Sequence, residues 1–293
     1  MEGESYRGPA GLGMGAAAGF GTPDGYRGAC RGSRRGGRHP AGRAPATAFG
    51  PPACYPLPTL TNAPNVCGRF GLTRPDQLRL ERLGVSLLGP LEPRFNVAPG
   101  QEILAVRETG GKREAVPLRW GIHPHWGSQG HAIVNVRSDG GFHQGPFRNA
   151  LHLRRCLVLC DVFYEWQVVP GRRRKQPWAL AMPNRARFAL GAVWEPASSG
   201  EERPAAAVAI LTTEPNALML PLHDRMPVIV AEERWVDWLD AHTAEPAVQE
   251  MTMPWPSEEL VAWPISERVN LVAHDDAGIL DPVDVRPEEL DLF

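Results

Sequence analysis

The sequence has no long apolar stretch and little net charge. No segment is apolar over the length of a signal peptide or of a membrane span, so a secreted or membrane protein is not expected. The 5 cysteines are unevenly spaced, which is not the pattern of a disulfide scaffold. With a net charge of −2 the chain would not coat duplex DNA by bulk charge, so any contact with nucleic acid requires a local basic patch. We expect a cytoplasmic protein with free thiols.

The first 66 of the 293 residues differ in composition from the rest. They hold 14 Gly, 9 Pro and 7 Arg, and they cannot bury enough apolar surface to offset the entropy lost on folding. From Cys67 onward the composition is that of a globular domain. We therefore expect a disordered leader over 1–66, one folded domain over 67–280 and a solvated acidic tail over 281–293.

Short strands separated by turns dominate the folded region. Strands are predicted over 158–166, 177–180, 187–193 and 206–212, and helices over 76–83, 147–155 and 231–239. The strands and helices do not alternate regularly, which favours an α+β fold with antiparallel sheet. The region contains neither a repeat nor a Gly-rich phosphate loop.

Four short segments carry polar residues that a core does not need. They are Cys67-Gly68-Arg69-Phe70, Asn135-Val136-Arg137-Ser138, Phe163-Tyr164-Glu165-Trp166 and His223-Asp224-Arg225-Met226-Pro227. Each places reactive or anion-binding side chains beside apolar neighbours, as is typical of active-site residues on separate loops.

Each of these residues also has a plainer interpretation. Cys67 fits a buried structural thiol, and Glu165 fits an outward-facing strand residue or an ion-paired carboxylate. His223 could cap a turn, and Asn135 could be a hydrogen-bonded core amide. Taken singly, none of the four identifies a catalytic site.

Together with further motifs, the four segments form one ordered pattern. The additional motifs are Pro93-Arg94-Phe95-Asn96-Val97-Ala98-Pro99, Trp120-Gly121 with Pro124 and Trp126, Phe147-Arg148, Arg155-Cys156-Leu157-Val158 and Leu211-Thr212-Thr213. In this order the sequence resembles the SRAP family, the SOS response-associated peptidases, from Cys67 to about residue 230. The resemblance implies an α+β fold in which antiparallel sheets curve into a barrel-like core with a few peripheral helices.

The resemblance also implies a function in the response to DNA damage. Members of this family sense abasic sites in single-stranded DNA and link to them covalently through an amino-terminal cysteine. Position by position, the implied catalytic residues are Cys67, Asn135, Glu165 and His223. The residues expected to bind DNA are Arg69, Asn96, Pro99, Trp126, Arg137, Arg148 and Arg225. We expect a monomer that binds single-stranded DNA and needs no cofactor, metal or membrane.

The chemistry of these residue types agrees with that function. A cysteine at a free amino terminus carries an amine and a thiol on adjacent carbons, and the two can condense with one aldehyde into a thiazolidine ring. His223 titrates near enough to neutrality to help open the abasic sugar, and Glu165 can take a proton from the amine. Addition of the thiol would then consume the imine before elimination breaks the strand.

The leader conflicts with this chemistry, because an internal Cys67 has an amide in place of the amine. One explanation is self-cleavage before Cys67, in which its thiol attacks the preceding carbonyl with help from Glu165 or His223. The other is that translation begins at position 66, where Val is consistent with a GTG start codon. We favour the start-site hypothesis, since the leader resembles translated GC-rich upstream DNA.

Other functions use part of the same pattern. A cysteine hydrolase acting on external peptides would use the same residues, and a non-covalent single-strand binder would not depend on Cys67. A lyase-type activity is a further option for a protein that forms an imine. His152, Cys156 and Cys160 are spaced by four, but the sequence there predicts a strand, so we do not expect a metal site.

Overall fold

The computed structural model describes residues 67–87, 89–123, 132–142, 145–197 and 206–285. The predicted leader over 1–66, Trp126 and positions 286–293 of the predicted tail lie outside the described residues. The strands are β1 (Arg69–Leu72), β2 (Arg94–Val97), β3 (Glu102–Thr109), β4 (Lys112–Trp120), β5 (Asn135–Arg137), β6 (Arg155–Cys160), β7 (Val162–Gln167), β8 (Gln176–Ala181), β9 (Phe188–Glu195), β10 (Ala207–Thr213), β11 (Met226–Pro227), β12 (Ile229–Val230) and β13 (Val261–Pro264). Sheet therefore dominates the described part of the chain.

The described helices are few and short. They are α1 (Arg148–Leu153), α2 (Trp235–Leu239) and α3 (Glu245–Glu250), with 3-10 turns at Pro75–Gln77, Glu81–Leu83, Pro183–Arg185, Glu232–Arg234, Ser257–Glu259, Glu267–Asn270 and Ala277–Leu280. Among the described residues no helix is long and apolar enough to cross a membrane.

The helix predicted over 76–83 is wrong. Two separate 3-10 turns occupy this segment, and Leu78 between them is extended, with φ −61° and ψ 135°. Leu78 and Leu80 are both buried in the same core cluster. Because residues two apart point to opposite sides of a helix, an extended link is what lets both side chains reach that core.

The single strand predicted over 158–166 is two strands, divided at Asp161. The carboxylate of Asp161 is buried and accepts hydrogen bonds from the backbone N–H of Thr73 at 3.0 Å and of Arg74 at 2.9 Å, and from the Thr73 hydroxyl at 2.9 Å. These donors stabilise a charged side chain at a position that would otherwise continue the strand. As a result β6 and β7 belong to different sheets.

The strands form two sheets. The first is antiparallel with the order β13-β8-β7-β1-β2. In the second, β10, β4, β3, β6 and β9 close into a ring, since β9 and β10 also pair with each other. The pairs β10–β4 and β10–β5 are parallel, and all other pairs of described strands are antiparallel. The predicted α+β class with curved, mainly antiparallel sheets and a few outer helices is confirmed.

Side chains of the ring strands alternate between the two faces of the sheet, so the ring lies between two hydrophobic cores. On one side, residues such as Val158, Leu190 and Ile210 pack with Phe70 and Phe163 of the first sheet. On the other side, neighbouring strand residues pack against Trp235, Trp238 and Leu239 of α2 and against α1 and α3. The first core is the one that Cys67 joins.

Candidate active site

Pairing between β1 and β7 brings Cys67 to Glu165. Arg69 lies opposite Tyr164 in this antiparallel ladder, so the residues just before β1 reach the end of β7 where Glu165 lies. The backbone N–H of Cys67 donates to Glu165 Oε1 at 2.5 Å, although the two residues are 98 positions apart in the sequence. The candidate nucleophile and the candidate base predicted from the sequence are therefore in direct contact.

Glu165 is buried, so the outward-facing interpretation is wrong. It shares a strand face with Phe163, which packs in the core between the sheets, and only 1% of its surface is exposed. Burial raises the pKa of Glu165 to about 8, and the hydrogen bond from the Cys67 N–H opposes part of that rise. A carboxyl with this pKa can both take and return a proton near neutral pH.

Cys67 has a strained backbone and a buried thiol. Its φ of 48° lies in the left-handed region, which residues other than glycine seldom adopt, and such strain is concentrated at functional sites. Burial, followed by the charge of Glu165, raises the pKa of the thiol well above its ordinary value. The thiol is therefore neutral at physiological pH. An activated cysteine nucleophile has the opposite environment, in which nearby positive charge lowers the pKa.

Strand β10 brings the other two predicted site residues together. On one side it pairs with β5, where Asn135 lies opposite Ile210. On the other side it pairs with β11, where Met226 lies opposite Thr213, and His223 precedes this strand by three residues. Asn135 and His223 are consequently held on either side of the same strand.

His223 has contacts that require opposite positions of its proton. Nδ1 lies 3.1 Å from the backbone N–H of Arg225, which needs a bare nitrogen, and 2.8 Å from Asp224 Oδ1, which needs a protonated one. Burial lowers the pKa of His223, while Asp224 raises it. Since burial dominates, the neutral ring is favoured. Nε2 is buried and has no hydrogen-bond partner among the described residues, so in the tautomer whose Nδ1 accepts from Arg225 it is a free donor.

Arg137 and Arg225 meet at Asp139. The guanidinium of Arg137 lies 2.6 Å from Asp139 Oδ2, and that of Arg225 lies 2.5 Å from Oδ1 and donates to the Thr212 carbonyl at 2.6 Å. Burial alone would raise the pKa of Asp139, but the hydrogen bonds from both arginines lower it to about 2. Two guanidinium groups that share one anionic side chain form a cationic cluster whose geometry suits phosphate.

Lys175 and Asp224 connect the two halves of the site. The charge of Lys175 lowers the pKa of both Glu165 and His223, and that of Asp224 raises both, so Lys175 and Asp224 each lie within electrostatic reach of Glu165 and of His223. The sequence interpretation missed Lys175. The sequence feature that could have identified Lys175 is the run Arg172-Arg173-Arg174-Lys175, the only four consecutive cations in the folded region.

Replacing Lys175 by Met is expected to raise the pKa of both Glu165 and His223. The substitution keeps an apolar stem of similar length and removes the positive charge that lowers both values. Titration followed by NMR of the labelled Glu165 carboxyl and His223 ring measures both shifts. Arg82→Met, at a site where 81% of the side chain is exposed, is the control and should move neither pKa. Unchanged titration curves for Lys175→Met would contradict the assignment.

Arg69 and Asn96 are joined to the segment that follows residue 268. Arg69 donates to the carbonyls of Val269 at 2.5 Å and Asn270 at 3.4 Å, and to Asn96 Oδ1 at 3.2 Å. The Asn96 amide is fully buried and donates to the carbonyls of Val269, Leu271 and His274 at 3.2, 3.0 and 2.8 Å. Both side chains therefore hold the segment that follows residue 268 against β1 and β2.

We expect Asn96→Ala to destabilise the fold by about 3 kcal/mol, because it removes a fully buried amide that donates to three carbonyl groups, at about 1 kcal/mol for each hydrogen bond. Urea denaturation measures this loss. Asn149→Ala, on the exposed side of α1, is the matched control and should change the free energy of unfolding by less than about 0.5 kcal/mol. If Asn96→Ala unfolded like the wild type, a structural function for this amide would be wrong.

The remaining predicted residues are not brought together with the site by any described contact. Pro99 is exposed in a turn where Gln101 N–H donates to the Ala98 carbonyl at 3.3 Å. Arg148 is exposed at the start of α1 and makes no ion pair with the described residues. No group of three or more His, Cys, Asp or Glu side chains in the described ranges is arranged to hold a metal ion.

Comparison with known proteins identifies the family. The model of SRAP, described as SOS response associated peptidase, matches residues 66–272. This chain belongs to the SRAP family. Among its SRAP relatives, abasic site processing protein YoaM of Bacillus subtilis (strain 168) is 31% identical over 223 residues, which cover 74% of this chain and 98% of that protein. Abasic site processing protein YedK of Escherichia coli (strain K12) is 25% identical over 227 residues, covering 74% of this chain and all of that protein (100%).

Solved structures show the same fold. A protein from Bacteroides thetaiotaomicron matches with a TM-score of 0.64 at 19% identity, covering 74% of this chain and 100% of that one. A phage-related protein from Bordetella bronchiseptica matches with a TM-score of 0.58 at 25% identity, covering 69% of this chain and 95% of that one. The SRAP resemblance read from the sequence is thus confirmed at the level of family and fold.

Proposed function

We propose that this protein processes abasic sites in single-stranded DNA by forming a covalent thiazolidine link through Cys67. Relatives that match over most of their own length are abasic site processing proteins, which supports an abasic site as the substrate. The observation that carries the covalent mechanism is the 2.5 Å contact between the backbone nitrogen of Cys67 and Glu165 Oε1. In a chain that begins at Cys67, this nitrogen is the α-amine.

The first step opens the sugar. An abasic deoxyribose interconverts between a ring hemiacetal and an open aldehyde, and a proton delivered to the ring oxygen favours opening. In the tautomer whose Nδ1 accepts from Arg225, His223 Nε2 carries the proton, and because it has no partner among the described residues it can donate to that oxygen. Asn135, on the other side of β10, is proposed to hold the sugar or its phosphate through its amide.

The second step forms an imine at the amine of Cys67. The α-amino group has a reference pKa of about 7.7 to 8.0, so it is mostly protonated at neutral pH and needs a base. Burial raises the pKa of Glu165, which makes its carboxylate a stronger base than an exposed one. Glu165 takes a proton from the ammonium, and the amine then adds to the aldehyde carbon. The protonated carboxyl returns the proton to the carbinolamine hydroxyl, which leaves as water.

The third step closes the ring. The Cys67 thiol adds to the imine carbon, a carbon–sulfur bond forms, and the thiol proton passes to the nitrogen. The net reaction joins aldehyde and cysteine with loss of one water molecule and needs no oxidant or cofactor. Because amine and thiol are on one residue, the closure has the high effective molarity of an intramolecular reaction. A neutral thiol, as burial dictates here, is sufficient for addition to an imine.

Phosphates beside the lesion are proposed to bind at Arg137 and Arg225. Arg137 is largely exposed, with 70% of its side chain accessible, whereas 11% of Arg225 is accessible. A phosphate that replaced the Asp139 carboxylate would offer oxygens to both guanidinium groups, which now donate to the two oxygens of Asp139. Contacts to phosphate carry no sequence information, which suits a sensor that must act at a lesion in any sequence.

Cleavage before Cys67 is a second candidate activity. The contact between the backbone nitrogen of Cys67 and Glu165 favours it as well. Glu165 lies at the nitrogen of the peptide bond that joins Val66 to Cys67, and its raised pKa keeps it protonated at neutral pH. It can therefore protonate the leaving nitrogen when the thiol attacks the Val66 carbonyl. Water would hydrolyse the resulting thioester and release residues 1–66. A start of translation at position 66 would make this step unnecessary.

The covalent link is tested with two purified forms, the full-length chain and a chain that begins at Cys67. Each is incubated with single-stranded oligonucleotide carrying one abasic site and run on a denaturing gel. We expect an adduct with the short form that is absent in Cys67→Ala. If neither form gave an adduct, the covalent mechanism would be wrong and a non-covalent binder or a peptidase would be favoured.

Self-cleavage is tested on the full-length chain alone. Intact-mass spectrometry over time should show loss of residues 1–66 from the wild type and no loss from Glu165→Gln or Cys67→Ala. A full-length wild type that stays intact in the presence and absence of abasic DNA would exclude cleavage and favour the internal start.

A further inference from the structure

The hairpin between β7 and β8 carries an unused cluster of cations beside the site. Its tip is a turn in which Arg172 N–H donates to the Val169 carbonyl at 3.1 Å, with Pro170 and then Gly171 between them. Gly171 has φ +84°, the left-handed conformation that this position of a type II turn requires. The run Arg172 to Lys175 follows directly. We name residues 168–175 the cationic hairpin.

The base of the cationic hairpin is fixed. Gln167 lies opposite Gln176 in the β7–β8 ladder, and Trp178 Nε1–H donates to Gln167 Oε1 at 3.0 Å. Gln176 in turn accepts from Arg172 at 2.7 Å and donates to the Ile265 carbonyl at 2.8 Å. The cations are therefore presented from a rigid support, which lowers the entropic cost of binding a ligand.

Two of the cations are available to a ligand. Arg173 is exposed and makes no ion pair with the residues that the structure describes. Arg174 has 77% of its side chain exposed, and its one ion pair within the described ranges is with Glu267, at 3.0 Å. An exposed pair of this kind is weak, so a phosphate can replace the carboxylate.

The cationic hairpin borders the site at two points. Lys175 lies within electrostatic reach of Glu165 and His223. Glu267, the partner of Arg174, begins the 3-10 turn whose last residue, Asn270, accepts from the indole N–H of Trp166 next to Glu165. A strand whose abasic sugar reached Cys67 would thus have neighbouring phosphates near these cations.

We propose that the cationic hairpin is a second binding element for the phosphodiester backbone of single-stranded DNA, in addition to Arg137 and Arg225. This inference rests on the proposed function, because it concerns the strand that carries the lesion. Arg173 and Arg174 bind phosphates that flank the abasic site, and Lys175 provides positive charge at the reacting sugar. A chain with net charge −2 needs such local clusters to attract DNA.

The test compares Arg173→Ala/Arg174→Ala with Arg79→Ala/Arg82→Ala in the full-length chain. The control removes the same charge from exposed arginines whose contacts are Glu232 and the carbonyls of Asp76 and Leu78. Binding of an intact oligothymidine without an abasic site is measured by fluorescence anisotropy at several salt concentrations, so covalent chemistry does not contribute.

For the hairpin variant we expect roughly tenfold weaker binding at 0.1 M salt, and a salt slope smaller in magnitude by about 1.4, since each single-strand phosphate contact contributes about 0.7. The control should bind like the wild type. In the chain that begins at Cys67, the hairpin variant should need more abasic DNA for half-maximal cross-linking but reach the same maximal rate, which excludes damage to the reacting groups.

Failure of the hairpin proposal and failure of the proposed function give different results in these measurements. If the wild type forms the adduct and the hairpin variant keeps the wild-type affinity and salt slope, the hairpin proposal is overturned and the proposed function stands. Equal weakening by the hairpin and control variants would also overturn it, since only general charge would then matter. If the wild type neither binds the oligonucleotide nor forms an adduct, the proposed function itself fails.

Discussion

Glu165→Gln is expected to slow adduct formation by about two to four orders of magnitude, the usual contribution of a general acid–base group. The carboxamide keeps an oxygen that can accept the hydrogen bond of Cys67, whose nitrogen lies 2.5 Å away, but it cannot take the proton of the ammonium or return it to the departing hydroxyl. Single-turnover cross-linking of the chain that begins at Cys67 measures the rate. Glu81→Gln, at an exposed position, is the matched control and should react like the wild type.

The same substitution should stabilise the fold at high pH. Glu165 has a folded-state pKa of about 8, raised by burial from an ordinary value of 4.5, so the native state binds more protons than the unfolded state between these values. Stability contributed by the protonated form is full below pH 4.5 and is lost as pH rises through 8. Glutamine does not ionise, so its advantage over the wild type should grow across this window, to the order of 4 kcal/mol above pH 8.

Urea denaturation of both chains at pH 5 and pH 8.5 measures this difference. A Glu165→Gln variant that reacts at the wild-type rate would exclude Glu165 from proton transfer. A free-energy difference between the two chains that does not change with pH would contradict the raised pKa of the buried carboxyl. The rate and the pH dependence of stability are independent, so each measurement tests one claim: proton transfer by Glu165, or the raised pKa of its buried carboxyl.

Cys67→Ser is expected to convert a protecting protein into one that cleaves the strand. The variant keeps its amine and can form the imine, but the hydroxyl closes the ring poorly because it is a far weaker nucleophile than the thiol. An open imine favours elimination of the neighbouring phosphate. We expect the yield of stable adduct to fall at least about a hundredfold, since the hydroxyl has the same proximity to the imine carbon as the thiol but is a far weaker nucleophile.

Denaturing gels of end-labelled abasic oligonucleotide measure both products of this reaction. The cleaved strand should increase with both Cys67→Ser and Cys67→Ala, because each keeps the amine that forms the imine and lacks the thiol that would consume it. Cys156→Ser is the control at a second buried thiol, on β6, and should still form the adduct. A Cys67→Ser chain that forms as much stable adduct as the wild type would show that the sulfur does not take part.

Much of the candidate site followed from the sequence because its residues lie in short, ordered motifs. The motif around Glu165 identified the residue, but not that it would be buried against Cys67. That contact depends on the register of β1 against β7, which pairs segments nearly a hundred residues apart. Local patterns contain no information on such a register. The parallel pairing of β10 with β4, which the ring also needs, is non-local in the same way, since it places Val208 opposite Trp120.

The error over the strand at 158–166 has a physical cause that a local sequence pattern does not show. Asp161 divides a run of apolar residues because donors from Thr73 and Arg74 meet its carboxylate, and these lie far away in the sequence. The family motif that contains Asn96 predicts contact with DNA and does not show that its amide also donates to three backbone carbonyls. Lys175 lies outside the SRAP motifs, so only the run of four consecutive cations could have identified it.

The central claim is that both the nitrogen and the sulfur of Cys67 bind one carbon of the abasic sugar. The most direct measurement is mass spectrometry of the adduct after digestion of its protein and its DNA. We predict a peptide that begins at Cys67, carries the sugar, has the summed mass less one water, and is unchanged by borohydride. A sugar on another residue, a peptide that still contains residues before Cys67, or a gain of two hydrogens with borohydride would contradict the account.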